Sequence, residues 1–262
     1  MSILSVRGCS ALKSPQNGAV EFAAVEPTMV RVPAAVALAF VVAIGVSPAA
    51  RASESATVQE ILDGKELYIN QKQAAVKERA TAPETVSTKN SRGQLSFSGG
   101  AAGRINRFSL LRLGSSCFLM EKGQILVSGK QNGCTRSARL SVRGTNYVIA
   151  VQDDGTAELS VLEGAVEVEP LKNGEPTGKP PTTVEAGQKV TLSAEGVILT
   201  LLQLTAGDYT GILGGPLFSG FSSPLPGFAA LESYIRSSVP GVSLPGVPSV
   251  PSVPSIPRFG FF

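Results

Sequence analysis

The chain has 262 residues, 43% hydrophobic and 16% charged, with 23 Lys or Arg against 20 Asp or Glu. It contains no His and no Trp, which removes Ser-His-Asp and Cys-His catalysis and imidazole metal ligation. Without residues 1–52 the balance is 19 basic against 18 acidic, and no basic stripe remains to neutralise phosphates, so nucleic-acid binding is disfavoured.

Residues 29–52 have the layout of an export signal. Arg31 precedes an uninterrupted small-apolar run, Ala34 to Val46. Ser47-Pro48 then breaks any helix, and Ala50-Arg51-Ala52 fits the A-x-A cleavage pattern with Ser53 next. The run holds 13 residues, whereas a bilayer span needs roughly 20. A signal removed between Ala52 and Ser53 is therefore expected, and an uncleaved membrane anchor is the alternative. Residues 1–28 mix polar and acidic positions, including Glu21 and Glu26, and do not fit such a signal; Met29 is the expected start. Cys9 falls in the discarded part. Cys117 and Cys134 remain, an even pair suited to a disulfide in an oxidising compartment, with two unpaired buried thiols as the rival reading. Two thiols and no His are too few for a metal site, and no cofactor is indicated.

From Ser53 onward the texture is β. Residues 57–64 suit a short helix or a first strand. Strand candidates follow at Tyr68-Ile69, Gln94 to Ser98, Arg104 to Leu113, Cys117 to Met120 and Gln124 to Ser128. Gly123 and Asn132-Gly133 read as turns between them. The clearest stretch runs from Ala138 to Glu169. Leu140 and Val142 alternate with polar residues. Tyr147 to Val151 is apolar throughout, as in a strand buried on both faces. Asp153-Asp154-Gly155-Thr156 makes a tight turn. Leu159 and Val161, then Val166 and Val168, flank a second turn at Glu163-Gly164. Val184, Val190 and Leu192 add a last pair of strands around Ala186-Gly187-Gln188. About ten strands of about five residues each, spaced by turns, point to an all-β roll, sandwich or short solenoid over residues 53–200.

Past Gly196 the pattern changes. Thr205 and Asp208 can cap a helix over 206–213, with Gly214-Gly215-Pro216 ending it. Residues 227–238 suit a second helix with Phe228, Leu231, Tyr234 and Ile235 on one face. That face is expected to pack on the β-domain or on a partner. This helical extension covers residues 201–239. From residue 240 a Pro-rich tail follows, with Pro245, Pro248, Pro251, Pro254 and Pro257 at every third position, the period of polyproline II. The chain ends on Phe259-Gly260-Phe261-Phe262, an apolar terminus able to meet a partner or an envelope surface.

Ser141 to Val168 reads SVRGTNYVIAVQDDGTAELSVLEGAVEV. Val142-Arg143-Gly144-Thr145 precedes an aromatic strand. Asp154-Gly155-Thr156 follows, then Val161-Leu162-Glu163-Gly164 with Val166 and Val168. Val184-Glu185-Ala186-Gly187-Gln188 closes the series, and Arg112-Leu113-Gly114 and Lys122 to Val127 precede it. This order resembles the FecR family over residues 57–197. The resemblance implies a β-solenoid-like or β-roll domain outside the cytoplasm. Classical members place a cytoplasmic anti-sigma segment and a membrane helix before this domain; this sequence has no such segment of any size before Ala34.

The motif residues read as structural. Gly144 suits a bend or bulge, and Thr145 suits a strand. Arg143 suits an ion pair with Glu158 or Glu163. Asp153 and Asp154 suit a turn better than a calcium loop. Glu158 and Glu163 are the carboxylate pair for acid–base work if adjacent strands bring them together. The expected protein is an exported, non-catalytic module of the periplasm or envelope that senses or scaffolds through an envelope protein partner. Membrane contact would come only through an uncleaved signal or the apolar C-terminus. The sequence leaves the oligomeric state open. The alternatives are a small-molecule or glycan binder and a membrane-anchored signal regulator.

Overall fold

Alternating apolar residues with short Gly-centred turns produce strands almost throughout. The computed structural model describes residues 54–172 and 174–245. The leader at 1–28, the signal at 29–52, the cleavage point at Ala52 and Ser53, and the tail beyond Pro245 lie outside the described residues.

Sixteen strands are followed by two helices. In order they are β1 Ser55–Leu62, β2 Leu67–Ile69, β3 Lys72–Gln73, β4 Arg79–Thr81, β5 Thr85–Thr88, β6 Arg92–Phe97, β7 Ala102–Ile105 and β8 Leu110–Leu113. Then come β9 Phe118–Gly129, β10 Gly133–Cys134, β11 Ala138–Val151, β12 Ala157–Lys172, β13 Glu175–Pro176, β14 Thr182–Glu185, β15 Gln188–Leu192 and β16 Ile198–Gln203. The helices are α1 Ala206–Leu213 and α2 Phe228–Ser238. All strands belong to one open sheet whose main path is β16-β15-β12-β11-β10-β9-β7-β6-β1-β4.

The all-β class agrees with the sequence, and of residues 57–64 the first six lie in β1, which ends at Leu62 before a bend at Asp63-Gly64. The expectation of uniformly short strands does not hold. β9, β11 and β12 run for 12, 14 and 16 residues. The glycines that read as turns, Gly123 and Gly164, lie inside these strands with φ of +87° and +84°. A residue at positive φ bends the chain without ending its ladder, and glycine adopts it at no steric cost. β9 therefore pairs β8 before Gly123 and β7 and β11 after it. β12 pairs β15 before Gly164 and β14 after it. A Cβ on Gly164 would sit 2.4 Å from Thr145 Cγ2 and 2.6 Å from the Gly144 carbonyl, so the bend tolerates no side chain. Conversely, the expected single run from Arg104 to Leu113 breaks into β7 and β8 around Phe108, itself at φ +53°.

Strand periodicity sorts side chains into two rows. One row, across β7, β9, β11, β12 and β15, joins Ile105, Ile125, Ile149, Leu159 and Val190. It belongs to a continuous apolar cluster that also takes in Phe118, Tyr147 and Val168 further along the same strands, with Phe97 of β6 and Leu111 of β8. The sheet thus folds over its own inner face. One residue along, Leu126, Val148 and Leu162 face outward and are also buried. They meet Tyr209 and Leu213 of α1, Leu231 and Ile235 of α2, and Leu217, Phe218 and Leu225 between the helices. α1 begins as expected, with a Thr205–Asp208 capping box. α2 packs on the β-domain, and Val239, Val242 and Leu244 extend the same contact past the helix. No described helix is long and apolar enough to cross a membrane.

Candidate functional site

The motif residues gather at the bend shared by β11 and β12. Gly144 has φ +57° and lies against Gly164. Arg143 pairs with Glu167 at 2.7 Å, the acid two rungs beyond the bend and not Glu158 or Glu163 as the sequence suggested. The reason is register: Arg143 stands opposite Ala165, beside Glu167. Val142 is partly buried against the inner cluster. Thr145 is buried, and its Oγ1 has no partner among the described residues. Glu163 accepts a hydrogen bond from Asn146 Nδ2 at 2.9 Å, and the same amide donates to the Gly227 carbonyl. Glu158 sits five residues earlier on the same strand, roughly 16 Å along it. The carboxylate pair is therefore not assembled.

The remaining predicted residues are spread over the fold. Asp154 Oδ1 accepts from the Thr156 amide at 2.8 Å, and Gly155 has φ +84°, which closes the β11–β12 turn. Gly187 has φ +81° between β14 and β15, where a Cβ would lie 2.8 Å from the Tyr234 hydroxyl of α2. Cys117 and Cys134 are paired in the structure, their Cα atoms 5.9 Å apart. This pair holds the start of β9 beside β10, the one parallel contact in that region. Among the described residues no group of His, Cys, Asp or Glu is arranged to hold a metal.

Three features escaped the sequence. The first is a polar clamp on the outer face. Arg104 donates to Gln94 Oε1 at 2.8 Å and to the carbonyls of Leu217 and Ser223 at 3.2 and 2.9 Å, and its guanidinium lies 4.4 Å from the Phe221 ring centre. Burial lowers its pKa to about 10, with nearby Glu60 opposing the fall; it stays charged at neutral pH. Arg92 donates to the Pro216 and Ser219 carbonyls and pairs with Asp63. Hydrogen bonding from Arg92, with help from Arg107, holds Asp63 down at about 2. Burial pushes the Glu60 carboxyl up, but hydrogen bonds from Ser222 and Ser223 outweigh it and the pKa is lowered. Four outward polar residues thus hold the linker between α1 and α2. The only sequence signal was the recurrence of Arg and Gln at alternate positions in apolar strands.

The second is β16. It is an edge of the sheet, and Leu199, Leu201 and Leu202 are 57%, 44% and 52% exposed, with Val197 beside them at 54%. No charged residue or Pro occurs from Gly196 to Gly207. The opposite edge, β4, is three residues long, contains Arg79 and is followed by Pro83. Short length, charge and Pro are the usual protection of an edge, and β16 has none of them. The strand was missed because its apolar residues do not alternate.

The third is a groove of about 1140 Å³ beside the cysteine pair. Arg112, Arg136, Arg139, Lys172, Lys179 and Glu195 are its charged lining.

Compared with known proteins, residues 84–167 match a family described as FecR protein. No curated protein matches the chain. Two crystal structures of a candidate anti-sigma factor from Parabacteroides distasonis ATCC 8503, at 1.65 and 2.50 Å resolution, are similar at 18% and 19% identity. Each alignment covers 46% of this chain and 59% of the other, with a TM-score of 0.37, so the chain spans less than two thirds of their length.

Proposed function

We propose that this chain, which carries a FecR region at residues 84–167, is an exported, non-catalytic interaction module that senses or scaffolds at the cell envelope. The observation that carries the reading is β16: an exposed, uncharged, Pro-free edge strand offers unpaired backbone groups and apolar side chains to an added strand. The occupant is an extended apolar segment of another envelope protein, since a charged strand would find no counter-charge between Gly196 and Gly207. The carboxylates that sequence offered for acid–base work stand apart and Glu163 is engaged by Asn146, which supports a non-catalytic role.

The test is crosslinking from β16 in the exporting cell's envelope. A photoreactive residue at Thr200 should yield one reproducible adduct, and Leu201→Lys should abolish it while melting is unchanged. Val76→Lys, at another exposed apolar site, should leave it intact. An adduct that survives Leu201→Lys refutes docking at this edge. A self-adduct, with a dimer in light scattering, replaces the partner by a second copy. Export is tested separately: Ser53 as the mature N-terminus supports it, and an intact Ala34–Val46 run supports the anchored reading.

A further inference from the structure

The groove beside the cysteine pair is built differently from the rest of the surface. Between residues 54 and 245 the chain carries 18 Lys or Arg and 18 Asp or Glu. Five of those cations line this groove, with one acid, Glu195. Some of that charge is spent internally. Arg112 and Arg136 share Glu121, at 3.0 and 3.6 Å, and Arg139 pairs with Glu169 at 3.0 Å. Setting Glu121, Glu169 and Glu195 against the five cations still leaves two positive charges. Lys172 and Lys179 form no ion pair among the described residues and are exposed. Three further cavities hold between about 380 and 480 Å³, so the charge excess falls in a cavity more than twice the volume of any of these.

The walls are also fixed. Cys117 and Cys134 hold two of them together, and the shared Glu121 sets Arg112 and Arg136 on a third side. Ser115, Ser116 and Thr177 add hydroxyls to the lining. A concave site with surplus cations focuses potential and selects anions, while Arg and hydroxyl donors suit planar or tetrahedral oxyanions.

We propose that this groove binds a small soluble polyanion, a molecule with two or more phosphate or carboxylate groups. Lys172 and Lys179 meet one group, and Arg136, the more exposed of the arginines on Glu121, meets another. The groove reaches the β15–β16 turn through Ala194 and Glu195, so it lies next to the edge strand β16.

Calorimetric titration of the full chain at low salt tests this, with tripolyphosphate and tricarballylate as separate probes. At least one should bind saturably with one site, and its affinity should fall as salt is raised. The stronger probe identifies the anion class. Lys172→Ala/Lys179→Ala should weaken binding by roughly tenfold or more without changing the melting temperature. Lys72→Ala/Lys77→Ala, which removes two exposed cations elsewhere, should leave it unchanged. Absence of binding by both probes overturns the proposal. So does an equal loss in the two double variants, which would mark non-specific attraction to surface lysines.

Discussion

Ile105, Ile125, Ile149, Leu159 and Val190 face one way across five strands, while Gln94, Arg104, Leu126, Val148, Ser160 and Lys189 face the other. The two rows are one residue apart along the same backbone, and both are covered. The inner row packs within the apolar cluster. The outer row begins at Gln94 and Arg104, which bond the linker between the helices, and ends at Lys189, which pairs with Asp208 of α1 at 3.0 Å. Its apolar middle buries Tyr209 and Ile235. One face therefore holds the folded-over sheet together by burial, which is non-directional. The other positions a helical layer by directional bonds to backbone carbonyls that have no partner of their own.

The largest effect should come from the inner row. Ile149 is 1% exposed, and Ile149→Ala should lower global stability by about 2–5 kcal/mol, the range for a buried large-to-small change. Denaturant unfolding should show a lower midpoint with the slope kept. A change confined to the helices would contradict the assignment of Ile149 to the inner cluster.

Arg104→Met is the matching change on the outer row. It keeps much of the volume but strips donors from Gln94 Oε1 and from two main-chain carbonyls. Each orphaned buried acceptor costs about 1–3 kcal/mol, offset where the loosened linker admits water, so about 2–4 kcal/mol is expected. Hydrogen exchange should rise first between Pro216 and Gly227 while β9 and β11 stay protected. If protection falls evenly across the chain, the two faces are a single cooperative unit.

This difference also decides what could be read from the sequence. Tyr147 to Val151 signals a doubly buried strand because every residue is apolar, and the Thr205–Asp208 box signals α1 because its atoms are close in sequence. The polar clamp gives no such signal. Arg104 meets Leu217 and Ser223 more than a hundred residues away, and an Arg in an apolar strand reads as an ordinary surface cation. Gly123 and Gly164 misled for a related reason. Positive φ is common to a hairpin turn and to a bend within a strand, and only the partner strands tell them apart. The acid of Arg143, Glu167, lies four residues past the nearer one expected, Glu163, since it is set by the bulged register at Gly144.

The smallest effect is electrostatic and sharpens the outer face alone. Asp63 is held at about 2 by Arg92 and Arg107, against an unfolded value near 3.9. A depressed carboxyl stabilises the fold above the unfolded pKa, and that contribution disappears as pH falls through the folded one. Stability should therefore decline between about pH 4 and pH 2. Asp208, held at about 2 by Thr205 and Lys189, adds to the same limb, whereas Glu54, raised by burial, opposes it. Because Asp63 is near solvent, Asp63→Asn should remove under about 1 kcal/mol at neutral pH after screening. It should also flatten the acid limb of the melting profile without abolishing it. An unchanged limb would mean that Arg92 is held by the Pro216 and Ser219 carbonyls, so that the clamp does not depend on its carboxylate.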